Sequence, residues 1–376
     1  MADLTDYIAW RGDLSFKASP FNSVDALVLT AISYLNLKDC VPESMEETAT
    51  MAQVWEKFSI AEDYESRCYL GAVLNKRTVD LLKLCGNSLR FKNLKMCGYT
   101  DILDEEKCMQ FASVIFELED DVHMVTFRGT DDTLLGWHED FNLGFMDPIP
   151  SQAYGLEYFK KAASLFKGDF IISGHSKGAN LALYSGTCCG SALQKKIRTV
   201  YNFDGPNLSK KYLESENFKA IENKVKSFYP EMCIVGAIFY RMKNCTIVKS
   251  TEFAVMQHDY LSWQILGTSF ETAEKVKPES EIFENSINQW IEGLSMEEIQ
   301  DFSQKLFSLI EGSGAKTNTD IEEKKFHYSA RIIADFTHME TTQRRKFLSI
   351  LNELKHTIKG NLPIFNLFSL QDLIQQ

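Results

Sequence analysis

Residues 170–183 read Phe170-Ile171-Ile172-Ser173-Gly174-His175-Ser176-Lys177-Gly178-Ala179-Asn180-Leu181-Ala182-Leu183. The opening apolar run predicts a strand and the alanine- and leucine-rich run a helix. The Gly-x-Ser-x-Gly between them therefore falls on a strand-to-helix turn. A nucleophilic serine on such a turn needs small neighbours, because the turn brings its flanks together, and Gly174 and Gly178 remove the side chains that would clash. The helix that begins there aims backbone N–H groups at developing negative charge. Ser176 is thus the candidate nucleophile. A glycine-rich turn with an idle surface serine would carry the same letters; the strand before and the helix after weigh against it.

A serine needs a base, and the base needs an orienting carboxylate; on this kind of turn the chain order is serine, acid, histidine. Downstream lie His258, His327, His338 and His356. The last three fall in amphipathic helical patterns, whereas His258 follows the strand candidate Cys245-Thr246-Ile247-Val248 in a loop. For the acid, Asp204 ends the strand Val200-Tyr201-Asn202-Phe203 and precedes Gly205-Pro206, so it projects from the carboxyl edge of the sheet, where ligands bind. Glu231, after the next strand and Pro230, is the alternative acid. Asp259 adjoins the histidine, and its side chain diverges from it.

Outward from this stretch, short apolar runs alternate with helical patterns near 152–167, 178–189 and 212–222, the runs falling at 170–172, 200–203 and 225–229. Ala112, Val114 and Phe116, then Val122, Met124 and Thr126 after the acidic turn Glu119-Asp120-Asp121, read as strand, turn, strand. Strands alternating with helices mean a mostly parallel sheet covered on both faces. The expected fold is α/β, of the α/β-hydrolase type, with helical additions at both ends. Residues 1–90 show helical spacing, clearest at 24–35 with Ser23 as cap, and again from Tyr69 to Leu84. Strand signals stop near 264. From there Ser295 and Glu298 form a capping-box start to an amphipathic helix, and 326–336 and 343–358 are helical. The division expected is 1–264, with the core at about 90–264, and an all-helical region over 265–376.

Upstream, Val125-Thr126-Phe127-Arg128-Gly129-Thr130 ends a strand in a glycine turn, and Trp137 and Asp140 follow. A strand ending in Phe-Arg-Gly-Thr, then Trp-x-x-Asp, then Gly-His-Ser-x-Gly resembles the class 3 (fungal-type) lipase group of α/β-hydrolases over residues 108–262. Nearly end to end, the chain resembles a bacterial family with a lipase-like core, an N-terminal helical extension and a helical tail. The resemblance implies that Ser176 is the nucleophile and His258 the base. It also implies that Thr130 and the backbone N–H of Lys177 hold the oxyanion, the Lys177 side chain having no task. Arg128 and Asp140 match positions that brace the oxyanion loop, with an ordinary surface ion pair as the other reading. Lipases of that class place their acid one strand after Asp204, where this chain has Glu231; Asp204 matches the earlier position used by another branch.

The expected chemistry is cleavage of an acyl ester or thioester through Ser176, His258 and Asp204, with no cofactor and no metal. A non-catalytic binding or regulatory protein on the same scaffold is the competing reading. The chain has 40 Lys+Arg against 52 Asp+Glu, a net charge of −12. With no large basic cluster, nucleic acid is an unsuitable partner, and the charge serves solubility. Nine cysteines without a CxxC pair read as reduced thiols in a cytoplasmic protein, as does the absence of a signal-peptide pattern at the start. The longest apolar run, Met232 to Tyr240, is about half a bilayer span. It reads as core, or as a lid or acyl pocket in transient contact with a membrane surface. Oligomeric state has no signature.

Overall fold

The computed structural model describes residues 1–68, 76–119 and 121–358. Elements are numbered in chain order. Five helices open the chain: α1 (Leu4–Arg11), α2 (Ser23–Ile32), α3 (Met51–Ser59), α4 (Tyr64–Arg67) and α5 (Thr78–Asn87). The strands are β1 (Ala49–Thr50), β2 (Lys95–Asp104), β3 (Met109–Glu117), β4 (Val122–Phe127), β5 (Asp169–His175), β6 (Ile197–Phe203), β7 (Val225–Pro230) and β8 (Cys245–Val248), then β9 (Ile265–Leu266), β10 (Ser269–Phe270) and β11 (Thr272–Ala273). Between them run α6 (Leu134–Asn142), α7 (Pro150–Leu165), α8 (Lys177–Cys188), α9 (Ser191–Lys196), α10 (Lys210–Leu213) and α11 (Glu216–Lys219). The chain then continues as α12 (Pro278–Gly293), α13 (Met296–Gly312), α14 (Asn318–Glu323), α15 (Lys325–His338) and α16 (Thr341–Ile358).

One nine-stranded sheet has the order β1-β2-β3-β4-β5-β6-β7-β8-β11. Its centre, β4 to β8, is parallel, and the flanking pairs are antiparallel. This is the mostly parallel α/β sheet read from the sequence. Consecutive parallel strands laid side by side in chain order, with right-handed crossovers, send their connecting helices to one face. Here Phe111, Ile115, Val125, Phe127, Phe170 and Ile172 pack with residues of α7 and α8. The other face needs its own cover, and Val114, Phe116, Met124, Ile171, Tyr201 and Phe203 pack with residues of α1, α2, α3 and α5. The N-terminal helices are therefore a layer of the sheet domain. A hydrogen bond between Thr30 on α2 and Ser173 on β5, 2.6 Å, runs through that layer. Asp25 on α2 accepts from Arg90 Nε at 2.7 Å and from the Tyr7 hydroxyl at 2.9 Å, which ties α1 and the residues after α5 to α2.

Several boundaries differ from the sequence reading. The α2 cap is Asn22, in a capping box with Asp25, and Ser23 is the first helical residue. Of the helix expected from Tyr69 to Leu84, residues 69–75 lie outside the described residues, and its remainder falls largely in α5, which begins at Thr78. Of the acidic turn, Asp120 is also outside them. The region after 264 is not all helical: β11 pairs with β8 at the sheet edge, and helices begin at Pro278. Two-residue strands are too short to show a period of two. The capping box of Ser295 and Glu298 starts α13 as expected.

The C-terminal helices form a second core that also takes in Leu134 of α6, Tyr229 and the run Met232-Cys233-Ile234. The run to Tyr240 is thus mainly core. On α13, Phe307 stacks on His138 of α6 with centroids 4.3 Å apart. On α12, Asn288 donates to the Ala237 carbonyl at 2.7 Å. The helical region thereby grips both α6 and the loop after β7. All nine cysteines are free thiols, six of them buried. Among the described residues no helix is long and apolar enough to cross a membrane.

Candidate active site

Ser176 leaves β5 with φ 59° and ψ −135°, a backbone that a non-glycine residue adopts only when its surroundings enforce it, at a cost of about 1–3 kcal/mol. What enforces it is hydrogen bonding on both sides: Ser176 N–H donates to the Phe203 carbonyl at 3.0 Å, and its own carbonyl accepts from Ala179 at 3.0 Å. The glycines act as the sequence implies. A Cβ on Gly178 would overlap the carbonyl of Phe127, the last residue of β4, so only glycine lets α8 start against that strand. The turn after β4 lies equally close, since a Cβ on Gly129 would come within 2.9 Å of Ser176 Cβ.

Strand register delivers the acid. His175 pairs with Phe203 across β5 and β6, so Ser176 and Asp204 are the next residues on neighbouring parallel strands. Asp204 is fully buried, with φ 47°. Its Oδ2 lies 2.6 Å from His258 Nδ1. A carboxylate only accepts, so Nδ1 carries the hydrogen and Nε2 is the basic nitrogen. The second oxygen, Oδ1, accepts from Gly236 N–H at 3.2 Å and from the Cys233 thiol at 3.2 Å. The His258 ring lies 4.4 Å from that of His175, the residue before Ser176. Glu231, the alternative acid, is one strand further out and joins its backbone to Val248 and Lys277. The structure brings His258 to Asp204 and not to Glu231.

His175 itself is buried, its Nε2–H donating to the His258 carbonyl at 2.9 Å and its Nδ1 accepting from the Tyr34 hydroxyl at 2.8 Å. Burial pushes its pKa well below the ordinary 6.5, helped by the neighbouring His258. It stays neutral and serves as a strut between the turn after α2, β5 and the His258 loop.

Around Thr130, the hydroxyl lies 2.8 and 2.7 Å from the two oxygens of Asp140 on α6. The Asp140 side chain is 28% exposed, yet burial of the rest raises its carboxyl pKa to about 6 against the pull of the Lys177 ammonium and the Thr130 hydroxyl. Arg128 is no surface ion pair and does not meet Asp140: it is buried, forks onto Asp101 of β2 at 2.9 and 2.8 Å, and reaches Asp131 at 3.2 Å. The Lys177 side chain, left without a task by the sequence reading, is 1% exposed and bound to Gln110 and Glu139. Sequence reasoning missed Cys233, Gly236, Gln110 and Glu139. None is a specified position of a motif, Glu139 being one of the variable positions of Trp-x-x-Asp, and Met232 to Tyr240 reads as an unbroken apolar run.

The profile of the Mbeg1-like family matches residues 85–308, more than half of the chain. The chain belongs to the Mbeg1-like family. Of solved structures, M37 lipase is 13% identical with a TM-score of 0.34, the match covering 56% of this chain and 67% of that one. The lipase of Rhizomucor miehei in complex with its propeptide is 13% identical with a TM-score of 0.29, covering 55% and 71%. No curated protein matches the chain. The Mbeg1-like match spans β3 to α8 and Asp204 and His258 beyond them, so every candidate residue falls within the family region.

Proposed function

We propose that this Mbeg1-like chain is a serine hydrolase that cleaves an acyl ester or thioester. The observation that carries this reading is the buried pair of Asp204 and His258, 2.6 Å apart, with Asp204 at the end of the strand beside the Ser176 elbow. In the proposed reaction Ser176 Oγ attacks the acyl carbonyl while His258 Nε2 takes its proton. The tetrahedral oxyanion forms against the backbone N–H groups of Thr130 and Lys177. Its collapse expels the alcohol or thiol, which takes the proton back from His258. Water, activated by the same histidine, then hydrolyses the acyl-serine. Asp204 holds the tautomer throughout and stabilises the imidazolium that forms.

The test is labelling with a fluorophosphonate probe, with the adduct located by mass spectrometry, alongside hydrolysis of short- and medium-chain p-nitrophenyl esters. The expected adduct is on Ser176 and absent from Ser176→Ala. Folded wild-type protein that neither labels nor hydrolyses any of these esters would overturn the reading.

A further inference from the structure

Lys177 is the residue after the candidate nucleophile, and its side chain is among the largest wholly buried ones of the protein. An ammonium has three hydrogens to donate, and all three find acceptors: the Gln110 carbonyl at 3.1 Å, Gln110 Oε1 at 2.7 Å and Glu139 Oε2 at 2.9 Å. Asp140 Oδ1 stands 3.8 Å away. Glu139 is buried as well and spreads the cluster further, accepting from Gln110 N–H at 3.0 Å and from Ser151 N–H at 2.9 Å. The Lys177 and Glu139 side chains together thus join the start of α8 to β3, α6 and the start of α7.

Stability alone gives little reason for this arrangement. Burying an ammonium with a carboxylate costs desolvation that the pair barely recovers, and apolar residues of similar volume are often as good or better. The position of the cluster suggests what it does. The oxyanion hole has two halves on separate elements: the backbone N–H of Lys177 on α8, and Thr130 in the loop before α6. Thr130 is fixed by Asp140, whose neighbour in sequence, Glu139, is fixed by Lys177 Nζ. The same residue therefore supplies one half of the hole through its backbone and holds the other half at a set distance through its side chain. Preorganised donors act in the transition state only if they need not move to reach it.

We propose that Lys177 is a positioning residue, whose buried ammonium locks α6 and Asp140 so that Thr130 and the nucleophile's helix form one rigid oxyanion hole. The inference rests on the hydrolase reading above. A lone Lys177→Met change would strand Glu139, so the variant of choice is the pair Lys177→Met with Glu139→Gln, which leaves neither charge buried alone. Asp140→Ala, at a partly exposed position, removes the acceptor of the Thr130 hydroxyl and so severs that link separately.

The measurement is steady-state hydrolysis of p-nitrophenyl esters by wild type, the Lys177/Glu139 pair, Asp140→Ala and the combination, with thermal unfolding recorded for each. For the pair, kcat is expected to fall about tenfold to a hundredfold, while KM changes less than about threefold because ground-state binding is untouched. Asp140→Ala should lose kcat similarly, and the combination should lose little more than either, since both break the same link. A folded pair with wild-type kcat overturns the proposal, as do losses that simply multiply in the combination. If the pair does not fold, Asp140→Ala decides: wild-type kcat there overturns the proposal. Wild-type protein that neither labels nor hydrolyses overturns the hydrolase reading itself, a result distinct from active wild type with indifferent variants.

Discussion

Ser176 and Asp204 leave neighbouring parallel strands one residue past a matched pair, and both turn through positive φ, 59° and 47°. Each side chain is thus presented at the same edge by a backbone that ordinary residues avoid. Asparagine tolerates that region as well as aspartate does, so Asp204→Asn preserves the turn and removes only the charge.

In triads of this kind an asparagine in place of the acid stabilises the wrong histidine tautomer and costs about 10⁴-fold in kcat. Asp204→Asn is expected to lose ester hydrolysis on that scale, with thermal unfolding close to wild type. Glu231→Gln, whose residue lies a strand away from the pair, should keep its rate. The reverse pattern would assign the acid to Glu231.

Gly178 offers a test of the elbow's sterics. A methyl group there meets the Phe127 carbonyl, a backbone atom at the end of a central strand that has nowhere to move. Gly178→Ala is expected to destabilise the fold by more than about 4 kcal/mol, read as a large drop in the denaturant midpoint or as failure to accumulate soluble protein. An alanine variant that melts near wild type would show that α8 can retreat from β4.

What could be read from the sequence was what local chemistry writes. Ser176 stands between an apolar run and a helical one, and Asp204 closes a strand before Gly205-Pro206, so both announce their place in the sheet without knowledge of the rest of the fold. The β2 strand was not legible because a bulge between Cys97 and Thr100, with Gly98 at φ 64°, breaks its alternation. Lys177 gave no warning either: a lysine at a helix start reads as solvated, and only Gln110 and Glu139, brought from 67 and 38 residues away, make its burial feasible. Likewise the cover that α2 lays over β5 depends on crossover handedness across the whole sheet, which no window of sequence contains.

His175 predicts a pH dependence of stability. In the unfolded chain its imidazole takes up a proton near the ordinary 6.5, while in the native protein burial holds it neutral well below that. Below pH 6.5 the unfolded state therefore binds more protons, and stability falls as pH falls. Carboxylates add their own slope in any variant, so the comparison is with His175→Gln. Between pH of about 7 and 5 the wild type should lose more stability than the variant, by up to about 1.4 kcal/mol per pH unit in that window. Urea unfolding across this range checks it, and parallel slopes for the two proteins would mean that His175 protonates in place.

Phe307 connects the helical C-terminal region to the site. Its ring is buried, stacks on His138 of α6 at 4.3 Å and meets Phe141 at 5.4 Å, and α6 carries both Glu139 and Asp140. Phe307→Ala is expected to cost about 3–5 kcal/mol and also to lower kcat in protein that is still folded, because α6 loses the surface that holds it. Ile332 on α15 lies in the same core and makes the control: Ile332→Ala should cost about 2–5 kcal/mol with kcat unchanged. Kinetics measured well below the midpoint of each variant separate the two effects. Equal kcat for wild type, Phe307→Ala and Ile332→Ala would reduce the helical region to a cover, without influence on the oxyanion side of the site.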